Sequence, residues 1–204
     1  MRRSGFPATL LLLSAALLAT TGFADCPDTT IDAQAVRSLL TATDAATLDS
    51  RFSQLRTDDP ALVATYRRRR LHLDPTQEEE LRYLQSLPTT REELSRVYTL
   101  IDSSALCGDP NVSDIVDGMW ARAARLVTKN GVGHLAFIRC CLLTDGYVAE
   151  DAWDMFDWLL DQDAKRTVAA IRELSPEDQK RICGDADLQH ISAAEARKKC
   201  ASGL

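Results

Sequence analysis

The stretch VGHLAFIRCCLL, residues 132–143, decides the fold class. It is apolar on most sides, with Arg139 its only charged residue. Asn130-Gly131 precedes it and Asp145-Gly146 follows it, and both pairs are turn signals. A helical segment that is apolar all round belongs in a core. It falls well short of the ~20 apolar residues that a membrane span requires. Upstream, Ile115, Met119, Trp120, Ala123, Leu126 and Val127 recur at helical spacing and predict one long helix ending at Asn130-Gly131. Downstream, Val148, Ala152, Met155, Phe156, Leu159 and Leu160 form a second stripe, with Trp153 and Trp158 beside it. Residues 132–143 thus read as a buried central helix flanked by amphipathic ones.

Further out, start and stop signals recur. Asp32, Asp44 and Asp59-Pro60 each precede an apolar stripe, as N-caps do. Asp74-Pro75 repeats the pattern before Leu81, Leu84 and Leu87. Thr90 and Glu93 have capping-box spacing. Cys107-Gly108-Asp109-Pro110-Asn111 reads as a turn or loop. Beyond Leu174, Ser175-Pro176 starts a short helix that stops at Gly184, and Ser192 with Glu195 caps the last one. Alternating runs of strand length are absent, and no pattern recurs at a fixed period. The expectation is an all-α fold of ten or eleven helices. It would be an irregular multi-helix bundle or a short solenoid-like array of helical hairpins, stapled by disulfides.

The N-terminus reads as a removable export signal. Arg2 and Arg3 are followed by a leucine-rich run from Ala8 to Ala19, then by Gly22-Phe23-Ala24. Residues 1–24 are therefore expected to be cleaved, leaving 25–204 as a single all-helical domain. The destination is the periplasm or the extracellular space. Without Arg2 and Arg3 the net charge goes from -6 to -8. So acidic a chain argues against nucleic-acid binding. No stable membrane insertion is expected once the signal is gone.

All six cysteines, Cys26, Cys107, Cys140, Cys141, Cys183 and Cys200, follow that signal, which makes them disulfide candidates. Cys183 and Cys200 are the easiest local pair. Cys26 and Cys107 would then bond to Cys140 and Cys141 in either order. A thiol or metal centre on Cys140, Cys141 and His134 is the sharper alternative, but the usual ligand spacings are missing. No cofactor is expected.

Two charged constellations stand out. Tyr66 is followed by Arg67, Arg68, Arg69 and Arg70, and Arg67 with Arg70 would share a helix face able to meet an anionic partner. Pairing of this run with Glu78, Glu79 and Glu80 is the plainer expectation. Glu150, Asp154, Asp157 and Asp161 align along one side of the 148–160 helix, next to Trp158. Such a face is either solvated or a docking surface for a basic partner. Nucleophile elbows, phosphate loops and zinc-protease motifs are absent, and the histidines are only His72, His134 and His190. Asn111-Val112-Ser113 is a glycosylation sequon, which matters only in a eukaryotic host. The functional expectation is an exported, non-catalytic protein that binds another protein, of adaptor or immunity type. Partner-binding candidates are Asp154, Asp157, Asp161, Trp158, Arg67 and Arg70. The alternatives are a secreted hydrolase with an unrecognised site and the thiol or metal protein.

Overall fold

The computed structural model describes residues 31–103, 105–106, 108–144, 148–184 and 193–200. Every regular element among them is a helix. In chain order these are α1 (Ala33–Leu40), α2 (Ala45–Leu55), α3 (Pro60–Leu73), α4 (Gln77–Gln85), α5 (Arg91–Asp102) and α6 (Pro110–Val116). Then come α7 (Gly118–Asn130), α8 (His134–Leu142), α9 (Val148–Gln162), α10 (Ala164–Arg172), α11 (Pro176–Cys183) and α12 (Ala193–Cys200). The segment 1–24, Cys26, Cys107, His190 and Ser192 lie outside the described residues.

Local signals set most boundaries. Asp32 accepts a hydrogen bond from the Ala35 amide at 2.9 Å, and Asp44 from the Thr47 amide at 2.8 Å. Asp59 caps α3, Thr90 and Glu93 form a reciprocal capping box, and Ser175 caps α11. Each satisfies amides that have no partner inside their own helix.

Three sequence expectations shift. Asp74 ends α3 instead of starting α4, and Thr76 caps α4 by accepting from the Glu79 amide. Asp109-Pro110 starts a helix: Asp109 caps α6 by accepting from the Asn111 amide. The long helix expected up to Asn130 is divided at Asp117 into α6 and α7. The physical reason lies at Gly118, a weak helix former. The Asp114–Arg122 ion pair crosses directly over it, and a Cβ there would stand 2.9 Å from Arg122 Nη2.

The core has two parts. The first lies between α1, α2, α3, α5 and α6, with Val36, Leu39, Leu48, Leu62, Leu100 and Val116 buried in it. The second surrounds α8, where Phe137, Ile138, Cys140 and Cys141 are fully enclosed beside Trp120, Phe156, Leu159 and Ile171. The apolar stretch 132–143 thus supplies the buried helix its pattern predicts. Gly131 and Gly133, both at positive φ, reverse the chain from α7 into it. Helices α3 and α5 contribute to both parts: Leu71 and Leu94 face the second, Leu62 and Leu100 the first. Tyr98 packs on both, and its hydroxyl accepts a hydrogen bond from Trp120 Nε1 at 3.0 Å.

Cys183 and Cys200 form the local disulfide, joining α11 to α12. Cys140 and Cys141 are free thiols, so the expected bridges to Cys26 and Cys107 are not made there. Helical spacing allows two partners on different sides of one helix. Both sides of α8 are instead filled by the second core. No helix among the described residues is long and apolar enough to cross a membrane.

Candidate functional site

The acidic face of α9 is the more open of the two charged constellations. Glu150, Asp151, Asp154 and Asp161 are exposed, and Asp157 is half-buried. Trp153 and Trp158 are also half-buried, resting against the second core, with Trp153 edge-on to Phe156 at 5.4 Å. Neither tryptophan is fully enclosed, unlike Trp120. Asp154 and Asp157 have no ion-pair partner among the described residues. Asp157 Oδ1 is enclosed yet has no hydrogen-bond donor there. Burial, then the charges of Asp161 and Asp154, push the Asp157 carboxyl above its usual range. The same happens across the helix junction: burial and then Asp151 push Asp117 up. Asp154 and Asp157 therefore carry negative charge that no ion pair among the described residues offsets.

The arginine run of α3 meets the opposite fate. Arg70 reaches Asp49 at 3.3 Å, Asp74 at 2.9 Å and the buried Glu79 at 3.7 Å. Arg68 Nε bonds Asp114 at 2.6 Å, joining α3 to α6. Arg69 donates from Nε and Nη2 to the Ala42 carbonyl, fixing α3 to the end of α1. Arg67 lies over the Tyr66 ring, 5.2 Å from its centroid. Arg67 and Arg70 thus do not form a shared anion-binding face. The expected pairing with acids of α4 is present only at Glu79. Glu80 is instead taken by Lys129 and Asn130, whose hydrogen bonds outweigh burial and hold its carboxyl low. Glu78 pairs with Arg82 on its own helix.

Sequence reasoning missed one arrangement. Arg68, Arg69 and His72 from α3 meet Asn111 and Asp114 from α6 and Leu40 from α1 around a pocket of about 70 Å3. The Arg68–His72 spacing of one helical turn is the only trace of it in the sequence.

The alternatives centred on chemistry find little geometry. His134 is buried at the start of α8, with Nε2 3.2 Å from Asp163 Oδ2, and Arg166 bonds the same oxygen at 3.0 Å. Burial pushes the His134 ring down, with Asp163 acting against it. This trio ties α8 to the α9–α10 corner. The Cys140 thiol is pushed up to about 12, chiefly by burial and then by Glu93. Cys141 is raised well above its usual range by the same enclosure, with Cys140 adding to it. Nucleophilic sulfur chemistry needs a thiolate, which these surroundings disfavour. Among the described residues no cluster of His, Cys, Asp and Glu is arranged to hold a metal ion.

Comparison with known proteins finds no matching family model, no matching characterised protein and no matching solved structure.

Proposed function

We propose that this chain is an exported, non-catalytic protein-binding domain, and that the outer face of α9 docks a basic segment of a partner protein. One observation carries the reading. Asp157 presents a carboxylate beside Asp154 and Asp161 with one oxygen enclosed and without a donor, in a protein whose other buried acids, Glu79 and Glu80, are paired. An arginine or lysine from outside would offset the exposed negative charge of Asp154 and the half-buried Asp157 beside it. It would also relieve the repulsion between Asp154 and Asp157. The flanking half-buried Trp153 and Trp158 add aromatic area of the kind that anchors interfaces. The uncompensated charge would steer a basic partner into encounter and set the salt dependence of binding.

The test uses a defined probe, a short peptide of alternating arginine and leucine, titrated into the full chain while tryptophan emission is followed. Saturable binding that weakens with salt and is lost in the Asp154→Lys/Asp157→Lys variant is expected. Circular dichroism should show that the variant keeps its helical content. Equal binding to wild type and variant would overturn the assignment of α9. Absence of saturable binding to wild type would overturn docking of a basic segment.

A further inference from the structure

We infer that the pocket between α1, α3 and α6 is a binding site for a phosphate-type oxyanion, separate from the acidic face of α9. Four observations converge on it.

The first is donor supply. Arg68 is held from behind by Asp114 through Nε, which leaves its two Nη groups without an acceptor among the described residues. Arg69 is held by the Ala42 carbonyl through Nε and Nη2, which leaves Nη1. Both side chains line the pocket. Arginine forks fixed at one edge keep their remaining N–H groups in place for a ligand and lose less freedom when it binds.

The second is charge. Asp114 is the only carboxylate among the described residues lining the pocket, and it is shared between Arg68 and Arg122. Arg69 faces a neutral carbonyl instead of an acid. A local cationic excess thus persists in a chain of net charge -6.

The third is direction. Donors come from two adjacent positions of α3 and from His72 one turn on, with Asn111 of α6, whose Nδ2 also bonds Asp109 at 3.1 Å, across the opening. A tetrahedral oxyanion offers acceptors towards several walls at once, whereas a single carboxylate fills one arginine fork.

The fourth is size and polarity. The cavity holds about 70 Å3, with Leu40 as the one apolar residue among its described lining, which suits a single phosphoryl group. It is well below the volume of an organic-ligand site and lacks the apolar lining such sites usually have.

Inorganic phosphate is the first probe, titrated into the isotope-labelled full chain and followed by amide and arginine side-chain NMR. Sodium chloride at matched ionic strength is the reference. Saturable shifts confined to the ends of α1, α3 and α6 that line the pocket are expected. Arg69→Gln should weaken binding by about tenfold, His72→Gln by less, and Lys165→Gln on α10 not at all. Glycerol phosphate forms the second arm. Tighter binding than phosphate assigns the site to an organic phosphomonoester, and equal binding assigns it to the free ion; both support the site. Shifts that chloride reproduces, shifts spread over the surface, or affinity unchanged in Arg69→Gln would overturn it. Should Arg69→Gln fail to fold, the wild-type map and His72→Gln decide.

Discussion

Replacing Asp157 by Asn should make the protein more stable at neutral pH, although it deletes a charge from a water-facing helix. Asp157 lies three residues from Asp154 and four from Asp161, so it takes part in two repulsive pairs on α9. Each such pair costs ~0.2–0.5 kcal/mol. Removing both should therefore return about 0.4–1 kcal/mol, or roughly 1–4 °C in Tm for a chain of this size. Relief of the desolvation that also disfavours its charge adds in the same direction. The pH dependence gives the sign independently. Folding raises the Asp157 pKa above 3.8. Above the folded value both states are ionised and the native penalty is complete. As pH falls through that value the native state takes up the proton first, and the penalty shrinks. Below 3.8 both states are neutral and it is gone. The Tm gap between Asp157→Asn and wild type should thus be widest near pH 7 and close on acidification.

Asp163 supplies the internal contrast, six residues along the chain. Burial acts to raise its pKa, but Arg166 and His134 overcome this and hold it low. Asp163→Asn should therefore lower Tm at neutral pH, by an amount that also shrinks in acid. Thermal melts of the three proteins from pH 2 to 7 make the comparison, since the Asp163 contribution is lost only below about pH 4. A Tm for Asp157→Asn below that of wild type at pH 7, or a gap that ignores pH, would refute the reasoning about α9.

Two further outcomes test the core. Tyr98→Phe leaves the buried Trp120 N–H without its acceptor, which should cost about 1–3 kcal/mol, roughly 2–12 °C in a thermal melt; an unchanged Tm would show that the bond joining the two core regions contributes nothing. Cys140 and Cys141 should resist an aromatic disulfide reagent in the native chain and react only as urea opens the second core, so rapid labelling without denaturant would contradict their enclosure.

The fold was legible where chemistry is local. Asp32, Asp44, Asp59, Thr90 and Ser175 cap helices because a short polar side chain meets the amides two or three residues on, and that contact is encoded by neighbours in sequence. The apolar run 132–143 marked the buried helix because such a surface has nowhere else to go. The misreadings came where a longer-range contact decided. The division at Asp117 depends on the Asp114–Arg122 pair crossing Gly118, which the periodicity of Ile115, Met119 and Trp120 conceals. The pairing expected for Cys140 and Cys141 assumed open flanks on α8, and only packing shows those flanks to be filled.

Charge was harder to read than shape, and the reason is physical. On paper, Arg67–Arg70 and Asp154–Asp161 are alike in crowding like charges onto one helix, the arginines around it and the acids along one side. In the fold they diverge because a run of charge becomes structural only when other helices bring counter-charges to it. Helix α3 packs among α1, α2, α4, α5 and α6, so acids from several directions reach it, and Arg70 collects Asp49, Asp74 and Glu79. Helix α9 packs inward through Ala152, Phe156, Leu159 and Leu160, and no ion pair among the described residues reaches Asp154 or Asp157 on its outer side. Residual function should then be sought where this neutralisation is incomplete. Two such places among the described residues are Asp157, one oxygen of which lacks a donor, and Arg69, which lines a pocket and faces a carbonyl where an acid could have stood. The two sites carry opposite charge and would select opposite ligands. A basic peptide and a phosphate should therefore bind the same molecule together, each leaving the other's affinity nearly unchanged, provided the two sites are energetically independent.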